Sequence, residues 1–109
     1  MSESEFLQQV DLTMHRIEAA LERATDLGET DVECSRSGNV LEIEFIENGS
    51  KIIINSQSSM QEIWVAAKAG GYHYKFLEGS WRNTRDASEL MATLSALVTA
   101  QGGSAVTLT

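Results

Sequence analysis

The chain has 109 residues, enough for one hydrophobic core but not two, and 42% of them are apolar, which argues against a disordered protein. The net charge is −8, and it is uneven: residues 1–50 carry −9 and residues 51–109 carry +1. A field of that sign argues against nucleic acid as a partner and would steer cations or a basic protein toward one side of the molecule.

No apolar run approaches the length of a membrane span, and no basic segment followed by an apolar run opens the chain. Cys34 is the only cysteine, so an intramolecular disulfide is impossible and a reducing compartment, the cytoplasm, is expected. One domain is expected over residues 1–109.

The first element predicted is a helix over residues 3–26. Ser2 and Glu5 have the spacing of a capping box, and Gly28 is a natural stop. At 100° per residue, Phe6, Val10, Met14, Ile17, Leu21 and Ala24 share one face. Asp11, His15, Glu18, Glu22 and Asp26 share another, with Arg16 and Arg23 on the opposite flank. Glu18/Glu22 and Glu22/Asp26 are like-charge pairs one turn apart, each costing an isolated helix about 0.2–0.5 kcal/mol. A solvated face and a surface that attracts cations both fit this row. The acid continues beyond the helix through Glu29, Asp31 and Glu33.

Short strands follow. Residues 31–35 alternate, with Val32 and Cys34 on one side and Asp31 and Glu33 on the other. Leu41, Ile43 and Phe45 alternate with Glu42 and Glu44. Asn48-Gly49 predicts a two-residue type I′ hairpin, with positive φ at both residues, leading into the β-branched run 51–55. Residues 61–67 alternate again. With Ile63 and Val65 inward, Glu62, Trp64 and Ala66 face outward. An outward Trp fits either cross-strand packing or an interface anchor. Tyr72, Tyr74 and Phe76 trace a further strand, and Trp81 opens a short last one. Asp86 has the position of an N-cap, with Glu89 three residues on, for a second helix buried through Leu90, Leu94, Leu97 and Val98 and stopped by Gly102-Gly103. Val106 and Leu108 in the tail are placed to pack back. This order predicts an α+β fold: a two-layer α-β sandwich, with an antiparallel sheet of about six strands covered on one face by the N- and C-terminal helices.

No phosphate-binding loop, nucleophile elbow, dinucleotide fingerprint, HExxH or CxxC is present, so no catalytic residue, organic cofactor or structural zinc site is expected. A row of carboxylates on open surface suits hard cations, bound weakly. His15 could add a nitrogen donor or be plain surface, and Cys34 reads as a small core residue.

Several motifs, in order, resemble the frataxin family in its bacterial form. They are Glu47-Asn-Gly-Ser-Lys-Ile-Ile-Ile-Asn55, Gln57, Ile63-Trp-Val-Ala66 and Gly70-Gly-Tyr-His73, with Ser4-Glu-Phe6, Cys34 and Trp81 around them. The likeness covers nearly the whole chain and is densest over residues 47–74. It implies the frataxin-like sandwich and a weak iron binder that regulates, or donates iron to, iron–sulfur cluster assembly. It also implies docking on an IscS-type cysteine desulfurase and its iron–sulfur scaffold protein. By that likeness Glu18, Glu22, Glu29, Asp31 and Glu33 form an acidic ridge for iron (Fe2+ or Fe3+), with Asp11 and Asp26 joining by helix angle. Glu18, Glu22, Asp31 and Glu33 would meet the desulfurase, and Asn55, Gln57 and Trp64 would form a sheet patch for the assembly. The second half of the helix departs from the family pattern: Ala19 and Arg23 stand where paired acids are common, so the ridge is thinner. A monomer is expected, with iron-dependent oligomers as a further state. The alternative is a ferroxidase or iron-storage protein that oligomerises with iron.

Overall fold

The computed structural model describes all residues, Met1–Thr109, as helix, six-stranded sheet, helix. Helix α1 spans Glu3–Asp26. Its capping box is formed: Glu5 N donates to Ser2 Oγ and Ser2 N donates to Glu5 Oε1, each at 3.1 Å. Phe6, Val10, Met14, Ile17, Ala20, Leu21 and Ala24 are buried, and Leu27 ends the helix before Gly28 turns left-handed at φ +75°.

The strands are β1 (Val32–Ser37), β2 (Val40–Phe45), β3 (Lys51–Gln57), β4 (Glu62–Ala67), β5 (Gly70–Leu77) and β6 (Ser80–Asn83), paired antiparallel in chain order. Alternation along them separates two faces. Val32, Leu41, Ile43, Phe45, Ile52, Ile54, Ile63, Val65, Tyr74 and Trp81 point at the helices and join one continuous core. Glu33, Glu42, Glu44, Asn55, Trp64, His73, Lys75 and Arg82 lie on the other face. The predicted sandwich is therefore the observed architecture.

Two turns differ from expectation. The β2–β3 connection is not a two-residue type I′ turn at Asn48-Gly49. Residues 46–49 form a longer loop in which Gly49 N donates to Phe45 O at 2.8 Å. Only Gly49, at φ +70°, is left-handed, and the Asn48 side chain instead accepts from Ser50 N and Oγ. The two-residue hairpin with positive φ at both residues occurs at Glu78-Gly79, between paired Leu77 and Ser80.

Helix α2 (Leu90–Gly102) starts later than Asp86 suggests. Asp86 closes a local turn by accepting from Ser88 N and Oγ, which holds its carboxyl below the usual range. Ala87 is left-handed at φ +62° and Glu89 bridges to Arg82, so the chain stays non-helical until Leu90. Glu89 is the N-cap, accepting from Met91 N and Ala92 N. The tail packs back: Thr99 Oγ1 bonds both N and O of Val106, and Leu108 N donates to Ser95 Oγ at 2.8 Å.

Candidate functional site

The acidic stripe becomes an edge because α1 lies beside β1. Glu18, Glu22, Thr25 and Asp26 from the helix and Val32, Glu33 and Cys34 from the strand line one shallow depression of 260 Å³. Around the end of the helix, Glu29, Asp31 and Glu47 line a second one of 320 Å³ with Thr25, Thr30 and Asn48. Thr25 belongs to both, and its buried Oγ1 has no hydrogen-bond partner. Ile46 N donates to Asp31 O at 3.1 Å, which ties the approach to β1 to the end of β2. Glu47, which opens the family-like motif but is not among the seven candidate ligands, joins this depression. Its signal was its place beside the Asn48-Gly49 turn, which brings the β2–β3 loop to the same end as Asp31.

Charge balance divides the seven candidate ligands. Asp11 is engaged: Arg36 on β1 places Nη2 2.8 Å from Asp11 Oδ1, and His15 Nδ1 lies 3.5 Å from Oδ2. Its negative charge is balanced, and it stands apart from the two depressions. Glu18, Glu22, Asp26, Glu29, Asp31 and Glu33 make no salt bridge, because the remaining ion pairs involve Glu42 and Glu62. Arg23 turns to the chain end at Thr109 O, and Arg16 lies against the Trp81–Glu89 side. The thiol of Cys34 registers the field of the edge. Burial first, then the Glu18 and Glu22 charges, push it up from the ordinary 9.0 to about 11. No three Asp, Glu, His or Cys side chains are gathered as a metal cage requires.

The sheet patch is assembled by register. Asn55 faces Trp64 across β3–β4, Trp64 faces His73 across β4–β5, and Gln57 faces Glu62. His73 lies flat on the indole of Trp64, with ring centroids 4.4 Å apart at 9°. The Trp is half-buried by this packing, and its Nε1 donates to Glu62 Oε1 at 2.7 Å.

Sequence comparison matches residues 1–104 to a family described as Frataxin-like domain. A protein of Janthinobacterium sp. (strain Marseille) named iron-sulfur cluster assembly protein CyaY is 61% identical over 108 residues, covering 99% of this chain and 96% of that one. One of the same name from Herminiimonas arsenicoxydans is 60% identical with the same coverage. The solved frataxin from Psychromonas ingrahamii superposes with a TM-score of 0.90 at 34% identity, over 100% of this chain and 99% of that one. A trimeric frataxin from the yeast Saccharomyces cerevisiae, complexed with ferrous iron, gives a TM-score of 0.69 at 21% identity, covering 94% and 88%. That likeness bears on the fold alone.

Proposed function

The chain belongs to the frataxin family, and on that premise we propose that it serves iron–sulfur cluster assembly as an iron-binding regulator or iron donor that docks on the cysteine desulfurase–scaffold complex. The carrying observation is the α1–β1 edge, where Glu18, Glu22 and Asp26 of the helix, Glu29 and Asp31 of the connection and Glu33 of the strand line two adjoining depressions without a salt-bridge partner in the same chain.

Such an edge does two things chemically. Hard oxygen donors on open surface hold ferrous or ferric iron loosely, as cargo, because no ligand set closes around it. Uncompensated negative charge also accelerates encounter with a basic surface and fixes its orientation. The proposed iron ligands are Glu18, Glu22, Asp26, Glu29, Asp31 and Glu33. Asp11, already held by Arg36, contributes least. Glu18, Glu22, Asp31 and Glu33 are the proposed desulfurase contacts, and Asn55, Gln57 and Trp64 meet the assembly through the sheet face. In this reading the chain is a binding module rather than an enzyme, working in the cytoplasm.

The test is exchange of Glu18, Glu22 and Asp31 for Lys together. Desulfurase binding, measured by interferometry, is lost while the circular dichroism spectrum is kept. Unchanged affinity in that triple variant would defeat the proposal. Trp64→Ala weakens the ternary complex with the scaffold and leaves the melting temperature nearly where it was.

A further inference from the structure

Glu62 is the one acidic side chain that is buried, at 4% exposure, and it is buried on the face turned away from the helices. What covers it is the sheet patch itself. Its Oε1 accepts from Trp64 Nε1 at 2.7 Å and lies 3.3 Å from His73 Nδ1, and its Oε2 is 3.8 Å from Lys75 Nζ. Lys75 stands directly across the strand pair from Glu62, and Arg82 stands across from Lys75. From β3 the facing residues are Asn55 and Gln57, which are neutral.

A buried carboxylate is kept only where its oxygens are satisfied. Here the one side-chain hydrogen bond to it comes from the indole N–H on β4, and His73 and Lys75 on β5 stand within ion-pair distance. Trp64 is therefore held on two sides: its edge by a charge-assisted hydrogen bond to Glu62, and its face by the His73 ring. The same carboxylate lies 3.3 Å from His73 Nδ1.

We propose that Glu62 is the positioning residue for Trp64, fixing the indole and the stacked His73 as a rigid platform before any partner arrives. A tryptophan on an open sheet face would otherwise exchange between rotamers, and ordering it on association lowers affinity. Glu62 removes that cost in advance. Its consequence for binding rests on the docking reading above, but the positioning itself does not.

The experiment reads the two indole N–H groups by 1H–15N NMR. Trp81 donates to Thr13 Oγ1 at 2.8 Å inside the core and reports the integrity of the fold. In the native protein the Trp64 N–H exchanges with water at least about tenfold more slowly than a free indole. Glu62→Ala shifts its resonance and restores fast exchange while the Trp81 signal stays. Glu62→Gln, which keeps an acceptor oxygen in place, retains the native signature. Exchange of the native Trp64 N–H at the free-indole rate overturns the proposal, as does a Trp64 signal unmoved in Glu62→Ala. Should Glu62→Ala disturb Trp81 as well, the native exchange rate decides alone. With the scaffold complex as ligand, Glu62→Ala weakens binding about three- to tenfold. If Trp64→Ala leaves that complex intact while the indole signatures hold, the docking reading fails and the positioning stands.

Discussion

Cys34 gives the most direct measure of whether helix and strand acids form one edge. Its side chain leans toward α1, where burial and then the Glu18 and Glu22 charges raise the thiol from 9.0 to about 11. Two units make the thiolate, the reactive form, about a hundredfold scarcer at neutral pH. A more basic thiolate is also a better nucleophile, by about six- to tenfold over two units, so the net slowing is about tenfold. The assay is alkylation by iodoacetamide at pH 7.5, followed by mass spectrometry, in folded and urea-unfolded protein. The folded thiol reacts more slowly by at least that factor, because partial burial also limits access. A Glu18→Gln, Glu22→Gln double variant separates the causes, since it removes the charges and leaves the burial. As burial is the larger cause, the double variant recovers only a minor part, about two- to threefold. An unchanged rate in that variant would show that the helix acids do not face β1, and the proposed edge would lose half of its members. The same shift fixes a pH dependence. The folded chain keeps its thiol proton where the unfolded chain releases it, so this group's contribution to stability declines as pH climbs from 9.0 toward about 11.

Further expectations concern the parts that hold the edge and the sheet in place. A Cβ at Gly102 would sit 3.1 and 3.3 Å from Phe45 ring atoms and 3.2 Å from Thr30 Oγ1. The Phe45 ring is buried and cannot give way, so overpacking of about 1–3 kcal/mol outweighs the helix gain of about 1 kcal/mol in Gly102→Ala. Calorimetry should show a midpoint lowered by several degrees, and a rise would contradict the packing. Ser2→Ala removes the cap of α1 at a cost of about 0.5–2 kcal/mol, read by urea unfolding. The Ser2 backbone N–H, and then its hydroxyl, hold the Glu5 carboxyl below its ordinary 4.5, so the contribution of Glu5 is present at neutral pH and fades as pH falls through the folded value. Glu5→Gln, which removes the titrating carboxyl itself, therefore flattens the acid limb of the stability profile, and an unaltered limb would refute the assignment. Thr13→Val strands the buried Trp81 indole N–H and costs about 1–3 kcal/mol, whereas the same change in a Trp81→Phe background costs little; equal losses in the two backgrounds would refute the bond.

Most of the fold was legible because it is written in local periods. The 3.6-residue stripe of α1 and the strict alternation of Leu41-Ile43-Phe45 and Ile63-Val65 each need only a short window. The failures arose where contacts outside the local period decide. Asn48-Gly49 has the right chemistry for a tight turn, but pairing of Phe45 with Ser50 fixes a longer loop there, while Glu78 accepts the left-handed conformation in a turn that register closes. Asp86 has cap chemistry, yet the bridge of Glu89 to Arg82 delays the helix. The same holds at the site. The acid row on α1 was visible, but not that Arg36, on the neighbouring strand, reaches Asp11. Outward alternation placed Glu62 beside Trp64 without showing that it is buried, because its cover comes from His73 and Lys75 one strand away.

Strand β1 is what relates the two proposed surfaces. Its inward residues Cys34 and Arg36 meet the acids of α1, and its outward Glu33 begins the opposite face. From β1 to β4 there are three strand spacings, about 14 Å at 4.8 Å each. That exceeds the screening length of about 8 Å at physiological salt and the range over which substitutions usually couple. The edge therefore does not perturb Trp64, and the platform built on Glu62 does not alter the field that Glu18 and Glu22 set up. On the proposed function, a basic partner seated on the edge would leave the tryptophan face open for a second body. This gives a physical reason to keep unpaired acids along the outer edge of the sheet, on α1, on the connection and at Glu33, where their mutual repulsion is relieved by water instead of being locked beneath a neighbouring strand.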